Sequence, residues 1–423
     1  MKTILQKFSV PFTYPVGFTH HVFDPKNPAL ASILRSPSSG PARALAVVDA
    51  GLAKATPGLI RQIEAYFQTH RDTLTLVSPP LIVPGGENAK NGWGNVREIM
   101  TAAGLNHLDR HSYILAVGGG GLLDMAGFAA ALVHRGLRLV RLPTTVLGQN
   151  DAGVGVKNGM NEGGAKNFAG TFAPPFAVIN DFAFLKTLPQ PEWIGGVSEA
   201  FKVAIIKDKP FFRYLCKHAA ALRNRDQAVM EKVVEKTARL HLRHIASSGD
   251  PFEVGSARPL DFGHWAAHRL ELMSNFTLGH GAAVAVGLAL DSTYAMLKGL
   301  ISPEERGQII QGLSDCGLPV WSPLLERANG TGEPDVLVGL EQFREHLGGR
   351  LCITLPDPVG AKREVHSMNL ARVKKAIRLL AHESLASRAD APTKETKTGR
   401  DGSPSHPRRV RRTRPTDTKG NRT

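Results

Sequence analysis

Residues 44–145 read as an alternation that few folds can satisfy. ALAVVDAG (44–51) is a strand running into a turn, PGLIRQIEAYFQTH (57–70) has helical periodicity, and TLTLVSP (73–79) is a second strand. GNVREIMTAAG (94–104) is helical and SYILAVGGGG (112–121) is an apolar strand entering a glycine turn. LLDMAGFAAALVHRG (122–136) is a helix, and LRLVRLPTT (137–145) is the next strand. Strands and helices in alternation predict a parallel sheet covered on both faces. The continuous apolar run of SYILAV fits a strand buried on both sides. After about residue 182 helical patterns dominate, at 190–206, 210–222, 226–247, 261–274, 281–299, 303–315 and 368–382. The expected organisation is an α/β nucleotide-binding domain over 1–182, a mostly α-helical domain over 183–382, and a tail over 383–423. A cleft between two such domains is a favoured small-molecule site.

The tail is set apart by charge. It carries eleven Lys/Arg against five Asp/Glu, includes PRRVRRTRP (407–415), and is poor in apolar residues. Such a segment cannot bury enough surface to fold alone, so it is expected to be disordered and dispensable for catalysis. Phosphate neutralisation would suit it to nucleic acid, but the rest of the chain has no basic stripe interleaved with aromatics. A solvated extension is therefore preferred. Cys216, Cys316 and Cys352 are far apart and form no CxxC pair, which disfavours a thiolate zinc site or a disulfide framework. The start, MKTILQKFSVPFTYP, lacks a long apolar stretch, so no signal peptide is expected. Asp124 and Asp291 interrupt the apolar runs, so no membrane span is expected. Together these features point to the cytoplasm.

VGGGGLLDMAG (117–127) joins a buried strand to a helix. Gly118, Gly119 and Gly120 let backbone approach a pyrophosphate, whose charge the helix N-terminus favours. The run is not GxGxxG, and no acid follows about 20 residues later; instead Asp49 ends an earlier strand. PGGENAK (84–90) and LPTTVLGQNDAGVGVKNG (142–159) read as loops over such a cofactor. Thr144 and Thr145 offer hydroxyls at a strand end. Asp151, Lys157, Lys166 and Asn167 lie in flexible glycine-rich sequence, where lysines suit an anionic substrate; a solvated loop is the simpler reading of these residues alone.

VSEAFKVAIIKD (197–208) is an apolar helix carrying Glu199 and Lys202, three apart. An ion pair along the helix would explain them; an acid in so apolar a setting also suits a metal. His264 and His268 are four apart on one helix face, and His280 opens the next helix. Three histidines and Glu199 make a set that suits zinc. Spacing alone does not say which of the histidines are ligands.

The ordered set GGGxxxDxAGF, PTT, DxxxxxK, KN, FLKTLP, SEAFK, FGHxxxH and HGxAVAxG resembles 3-dehydroquinate synthase and its relatives, the sugar phosphate cyclases, over roughly residues 40–300. The resemblance implies a Rossmann-like NAD domain with a parallel sheet, a helical metal domain and a homodimer. It implies NAD that is reduced and reoxidised within each turnover, and zinc or cobalt as Lewis acid. Glu199, His264 and His280 match the family's metal ligands, and His268 a substrate contact. Asp151, Lys157, Lys166, Asn167 and Lys202 match active-site positions. Arg135 matches an arginine that reaches the neighbouring subunit's substrate phosphate. Asp49, Glu87, Lys90, Gly118, Gly119, Gly120, Asp124, Thr144, Thr145 and Thr187 match NAD contacts.

The departures bear on substrate. Where 3-dehydroquinate synthases have Asn in NFGH or NLGH, this chain has Asp261. The family arginine four residues earlier is displaced to Arg258. The lysine of the preceding helix falls near His241, Arg243 and His244, and a late lysine near His346. An acid at 261 repels an anion but accepts hydrogen bonds from sugar hydroxyls. The expected substrate is thus a phosphorylated sugar without a carboxylate, such as sedoheptulose 7-phosphate, which the 2-epi-5-epi-valiolone and 2-epi-valiolone synthases cyclise. His268 is retained here, although 2-epi-5-epi-valiolone synthases are expected to lack it. The alternatives are an authentic 3-dehydroquinate synthase and a metal-dependent alcohol dehydrogenase of the glycerol dehydrogenase type. The latter would place a histidine where Val203 stands.

Overall fold

The computed structural model describes residues 1–37, 40–163, 165–247, 259–346 and 349–389. The basic segment from 390 onwards, Arg258 and the side chain of His346 lie outside the described residues.

The alternating region forms a seven-stranded sheet. Its strands are β1 (Val16–Thr19), β2 (Ala42–Asp49), β3 (Leu74–Leu76), β4 (Leu81–Val83), β5 (Tyr113–Gly118), β6 (Arg138–Pro143) and, further along the chain, β9 (Ala177–Asp181). The order is β1-β9-β6-β5-β2-β3, with β4 also on β2, and every pairing is parallel. Every residue of β5 is buried, because helices cover both faces. One face packs on the helix Leu59–Thr69, the other on Gly94–Leu105 and Gly120–Leu132. From β2 the chain first moves outward to β3 and β4. It then returns to β5 on the other side. The crevice at the carboxyl ends of β2 and β5 is therefore a topological switch point, where ligands of open α/β sheets bind. Asp49 ends β2 and Gly118 ends β5 on either side of it.

Beyond the strand the sequence up to 159 reads as loop. It instead contains a π-helical turn, Gly148–Ala152, and runs into β7 (Lys157–Glu162), which pairs antiparallel with β8 (Ala165–Phe172). Arg141 organises this excursion. Its guanidinium is fully buried and donates to the carbonyls of Gly153 (3.2 Å), Gly155 (2.7 Å) and Lys157 (2.8 Å), and to Asn158 Oδ1 (2.6 Å). A buried cation costs several kcal/mol unless its donors are satisfied. Here three loop carbonyls and Asn158 take up the two terminal nitrogens, while Nε is buried without a partner, so the loop is held against the sheet.

The second region is mainly helical, as expected, with a two-stranded hairpin the pattern did not show, β10 (Ile353–Pro356) with β11 (Lys362–Val365). In the helix Val197–Lys207 every residue through Ile206 is buried, Glu199 and Lys202 included. The helix His280–Lys298 is almost as deeply packed. The last helix, Leu370–Ala389, runs past the expected end at 382. Glu383 on it accepts two hydrogen bonds of 2.7 Å from Arg306 of the helix Pro303–Asp315. The boundary at 382 thus falls inside a helix tied to the core. Among the described residues no helix is long and apolar enough to cross a membrane.

Candidate active site

A cavity of about 510 Å³ opens where the sheet region meets the helices. From the sheet side it is lined by Glu87, Lys90, Gly120, Gly121, Asp124, Asp151, Lys157, Lys166 and Asn167. From the helical side it is lined by Lys202, His241, His244, Asp261, His264, His268 and His280.

The glycine turn fits a pyrophosphate. The helix Gly120–Leu132 begins without a side-chain cap, leaving its first N–H groups to a ligand. The loop 84–90 packs on this turn so closely that a Cβ at Gly121 would stand 2.3 Å from the Gly86 carbonyl oxygen, and one at Gly85 1.8 Å from Asp49 Oδ2. Asp49 Oδ1 accepts from the N–H groups of Gly51 (2.7 Å) and Leu52 (3.2 Å), capping the following helix. Thr144 N–H bonds the Gly118 carbonyl at 3.0 Å, and Thr145 Oγ1 accepts from Gly148 N–H at 2.9 Å. Asp49, Gly118, Gly119 and the two threonines thus shape the crevice from behind without lining the cavity. Thr187 bonds the Phe184 carbonyl and also lies off its wall. Lys90 pairs with Asp124 at 2.9 Å and contacts Asn167.

The donor set fits a divalent metal. Glu199 Oε1 lies 3.5 Å from His264 Nε2 and 3.4 Å from His280 Nε2. Ligands about 2.0–2.1 Å from a tetrahedral zinc stand about 3.3–3.4 Å apart. Both Glu199–histidine distances therefore match ligands around one ion, the ligand atoms of the three residues lie within 4.8 Å of one another, and Glu199 Oε1 and Oε2 are buried without a well-formed hydrogen bond. Burial opposes ionisation of Glu199, but Lys202 beside it and His264 outweigh burial and hold the carboxyl well below its ordinary range. Lys202 also faces Asp151 at 3.7 Å; burial works against its charge, yet Asp151 and Glu199 push it up to about 12. Asp151 sits in the π-helical turn and is brought down to about 2: burial is overcome by Lys202 and His241, whose Nδ1 is 2.7 Å away.

His268 belongs to a second triplet with Glu271 and His280. Burial and neighbouring His264 push its imidazole well below the ordinary value, so it is neutral. His280 belongs to both triplets and uses a different nitrogen in each. Its Nδ1 is 3.0 Å from Glu271 Oε2, while its Nε2 faces Glu199. A metal-ligating histidine ordinarily turns its second nitrogen to a carboxylate in this way. This favours Glu199, His264 and His280 as the ligand set.

Two family models match the chain, one described as 3-dehydroquinate synthase N-terminal over residues 80–195 and one as 3-dehydroquinate synthase C-terminal over residues 196–331. A 2-epi-5-epi-valiolone synthase of Streptomyces glaucescens is 34% identical over 349 residues, 82% of this chain and 85% of that protein. The chain belongs to the 3-dehydroquinate synthase-like sugar phosphate cyclases. A 3-dehydroquinate synthase of Pseudomonas syringae pv. tomato is 36% identical over 282 residues, 66% of this chain and 75% of that protein. The solved 2-epi-5-epi-valiolone synthase of Streptomyces hygroscopicus subsp. jinggangensis 5008, with NAD+ and Zn2+ bound, superposes with a TM-score of 0.78 at 29% identity, covering 90% of this chain and 99% of that one.

Within this cyclase fold, Val203 is buried core, 2% exposed, which leaves no ligand where the dehydrogenase alternative needs one. Arg135 is exposed, with φ 65°, in the turn after the helix Gly120–Leu132, and does not reach the cavity of its own chain. Arg243 is also exposed and off the cavity wall. Glu271 escaped the sequence reading, although His264, His268 and Glu271 stand at i, i+4 and i+7 on one helix, a spacing that puts all three on one face.

Proposed function

We propose that this chain cyclises a phosphorylated ketose without a carboxylate, sedoheptulose 7-phosphate being the expected substrate, by oxidation, phosphate elimination, re-reduction and intramolecular aldol closure. NAD, when bound, supplies a hydride acceptor and donor, and a zinc or cobalt ion supplies Lewis acidity. Support for both comes from the glycine turn, the Glu199–His264–His280 spacing, and the solved relative that carries NAD+ and Zn2+.

The roles of the protein's own groups follow from their surroundings. Glu199, His264 and His280 would hold the ion. Lys202 stands between Glu199 and Asp151 as a permanent cation and stabilises oxyanion character developing beside them. Asp151, ionised and 2.7 Å from His241 Nδ1, accepts from that nitrogen and orients the ring at the cavity wall. Lys157, Lys166 and Asn167 with neutral His268 supply donors for the phosphate. Arg135, exposed beyond its own cavity, would serve the neighbouring subunit of a homodimer.

The observation that carries the substrate reading is Asp261. It lines the cavity, and its Oδ2 is buried without a hydrogen-bond partner. A substrate hydroxyl would satisfy that oxygen, whereas a substrate carboxylate would be repelled by it. Nearby His244 is kept neutral. Burial and then Lys207, whose Nζ donates to Nδ1 at 3.0 Å, push its imidazole down to about 4. The proton of this neutral ring is therefore on Nε2. A neutral donor and an unpartnered acceptor suit a polyol.

The test is turnover of sedoheptulose 7-phosphate with NAD far below substrate concentration. Phosphate release running to completion supports recycling. NADH accumulating in step with product would identify a dehydrogenase instead.

A further inference from the structure

The helix His280–Lys298 carries a carboxylate that the proposed chemistry does not touch. Asp291 is fully buried, three turns from His280. Its Oδ1 accepts from the Trp265 indole N–H at 2.9 Å, and its Oδ2 accepts from the Gly263 backbone N–H at 3.0 Å. Those two donors belong to the residues on either side of His264.

The turn they define is tightly wedged. Gly263 has φ +79°, and a Cβ there would stand 2.8 Å from Leu288 N. Its carbonyl oxygen in turn lies where a Cβ on Gly287 would fall, at 2.1 Å. One residue earlier, the Phe262 carbonyl faces His264 Nδ1 at 3.1 Å. A carbonyl only accepts, so Nδ1 carries the proton. In the neutral ring Nε2 then carries the lone pair, and it faces Glu199 Oε1 at 3.5 Å. Trp265 is itself 1% exposed, so the indole that bonds Asp291 is locked in the core.

We propose that Asp291 is a positioning residue for His264: by holding the Gly263 N–H and the Trp265 indole together, it sets the 262–265 turn and hence both the tautomer and the aim of the imidazole. The buried acid is otherwise unaccounted for. Burial drives its pKa up to about 7, against the pull of these same two hydrogen bonds. This inference rests on the reading of Glu199, His264 and His280 as a metal set.

The experiment uses the full chain, stripped of metal and titrated with Co2+ against a competing chelator, with the cobalt absorption bands recorded. Asp291→Asn keeps the shape but offers one acceptor oxygen instead of two. It should weaken Co2+ binding about 10–100-fold, the usual effect of losing an outer-shell partner, and shift the cobalt bands. Trp265→Phe keeps most of the ring volume, removes one donor, and should give a smaller loss in the same direction. The double variant should lose less than the product of the two. Ser292→Ala, on the same buried helix but outside the clamp, should bind Co2+ like the parent. Wild-type affinity and bands in folded Asp291→Asn would overturn the clamp, even if its Tm had fallen. If Asp291→Asn does not fold, unchanged binding by Trp265→Phe overturns it. Failure of the parent protein to bind Co2+ at all would instead overturn the metal reading, and the clamp with it.

Discussion

Lys166 Nζ stands 2.7 Å from Glu271 Oε1, joining the β7–β8 hairpin of the sheet region to the helix His264–Met273. The other oxygen of the same carboxylate holds His280 Nδ1. One buried acid therefore links a cavity-lining lysine to a histidine of the proposed metal set. Burial alone would raise its pKa, but His280 and Lys166 together carry it well below the ordinary range.

Glu271→Gln should accordingly weaken metal binding about 10–100-fold, because an amide is a poorer partner for the imidazole N–H. Lys166→Met should act differently. It should leave metal content near that of the parent but raise KM for the sugar phosphate, because it removes a proposed phosphate donor. Metal analysis after dialysis and steady-state kinetics separate the two. Equal metal loss in both variants would mean that Lys166 serves only to hold Glu271.

His244 makes a prediction about pH. Its folded-state value of about 4 lies below the ordinary 6.5. Between those values the unfolded chain binds a proton that the folded chain does not. Its contribution to stability is therefore complete above about pH 6.5 and is lost as pH falls towards 4. His244→Gln should flatten the fall in Tm across that window. A parallel Tm–pH curve for the variant would show that the ring titrates normally.

The glycine turn gives a steric prediction. Gly121→Ala places a methyl 2.3 Å from the Gly86 carbonyl. Either the 84–90 loop moves away from the turn or the helix start shifts, and both disturb the crevice. NAD affinity measured by calorimetry should fall at least tenfold, with metal binding kept. Unchanged NAD affinity would place the cofactor elsewhere.

These residues show what the sequence carried and what it did not. The apolar run of β5 made the buried strand and its glycine turn legible, because burial on both faces leaves a pattern in composition. The grouping of Glu199 with His264 and His280 was legible only through the family motifs, since spacing alone left the choice of histidines open. Glu271 and Asp291 were not: a buried acid is read as a helix-surface charge until the fold shows what surrounds it. The π-helical turn at Asp151 was hidden because its side chains bond distant carbonyls that no sequence pattern marks, Gln149 that of Asp181 and Asn150 that of Gly196. The helix end at Ala389 was missed because polar residues follow the apolar face before Arg306 and Glu383 pair.

That pair distinguishes two truncations. Ending the chain after residue 389 keeps Glu383 and should leave Tm and turnover unchanged. Ending it after 382 strips Arg306, a buried residue, of the two carboxylate oxygens its guanidinium donates to. A loss of about 1.5–3 kcal/mol is expected, the scale of hydrogen bonds to charged groups, read by chemical denaturation. Equal stability of the two would show the pair to be idle.

The most direct test of the whole account compares kcat/KM for sedoheptulose 7-phosphate with that for the carboxylated heptulosonate phosphate used by 3-dehydroquinate synthases, following inorganic phosphate. A buried charge left without its partner costs about 3–5 kcal/mol, so a carboxylate set against Asp261 should lose at least a hundredfold. The account predicts that the uncharged-headed sugar wins by that margin and that Asp261→Asn narrows it. A faster reaction with the carboxylated sugar, little altered by Asp261→Asn, would contradict it and make this chain an ordinary 3-dehydroquinate synthase.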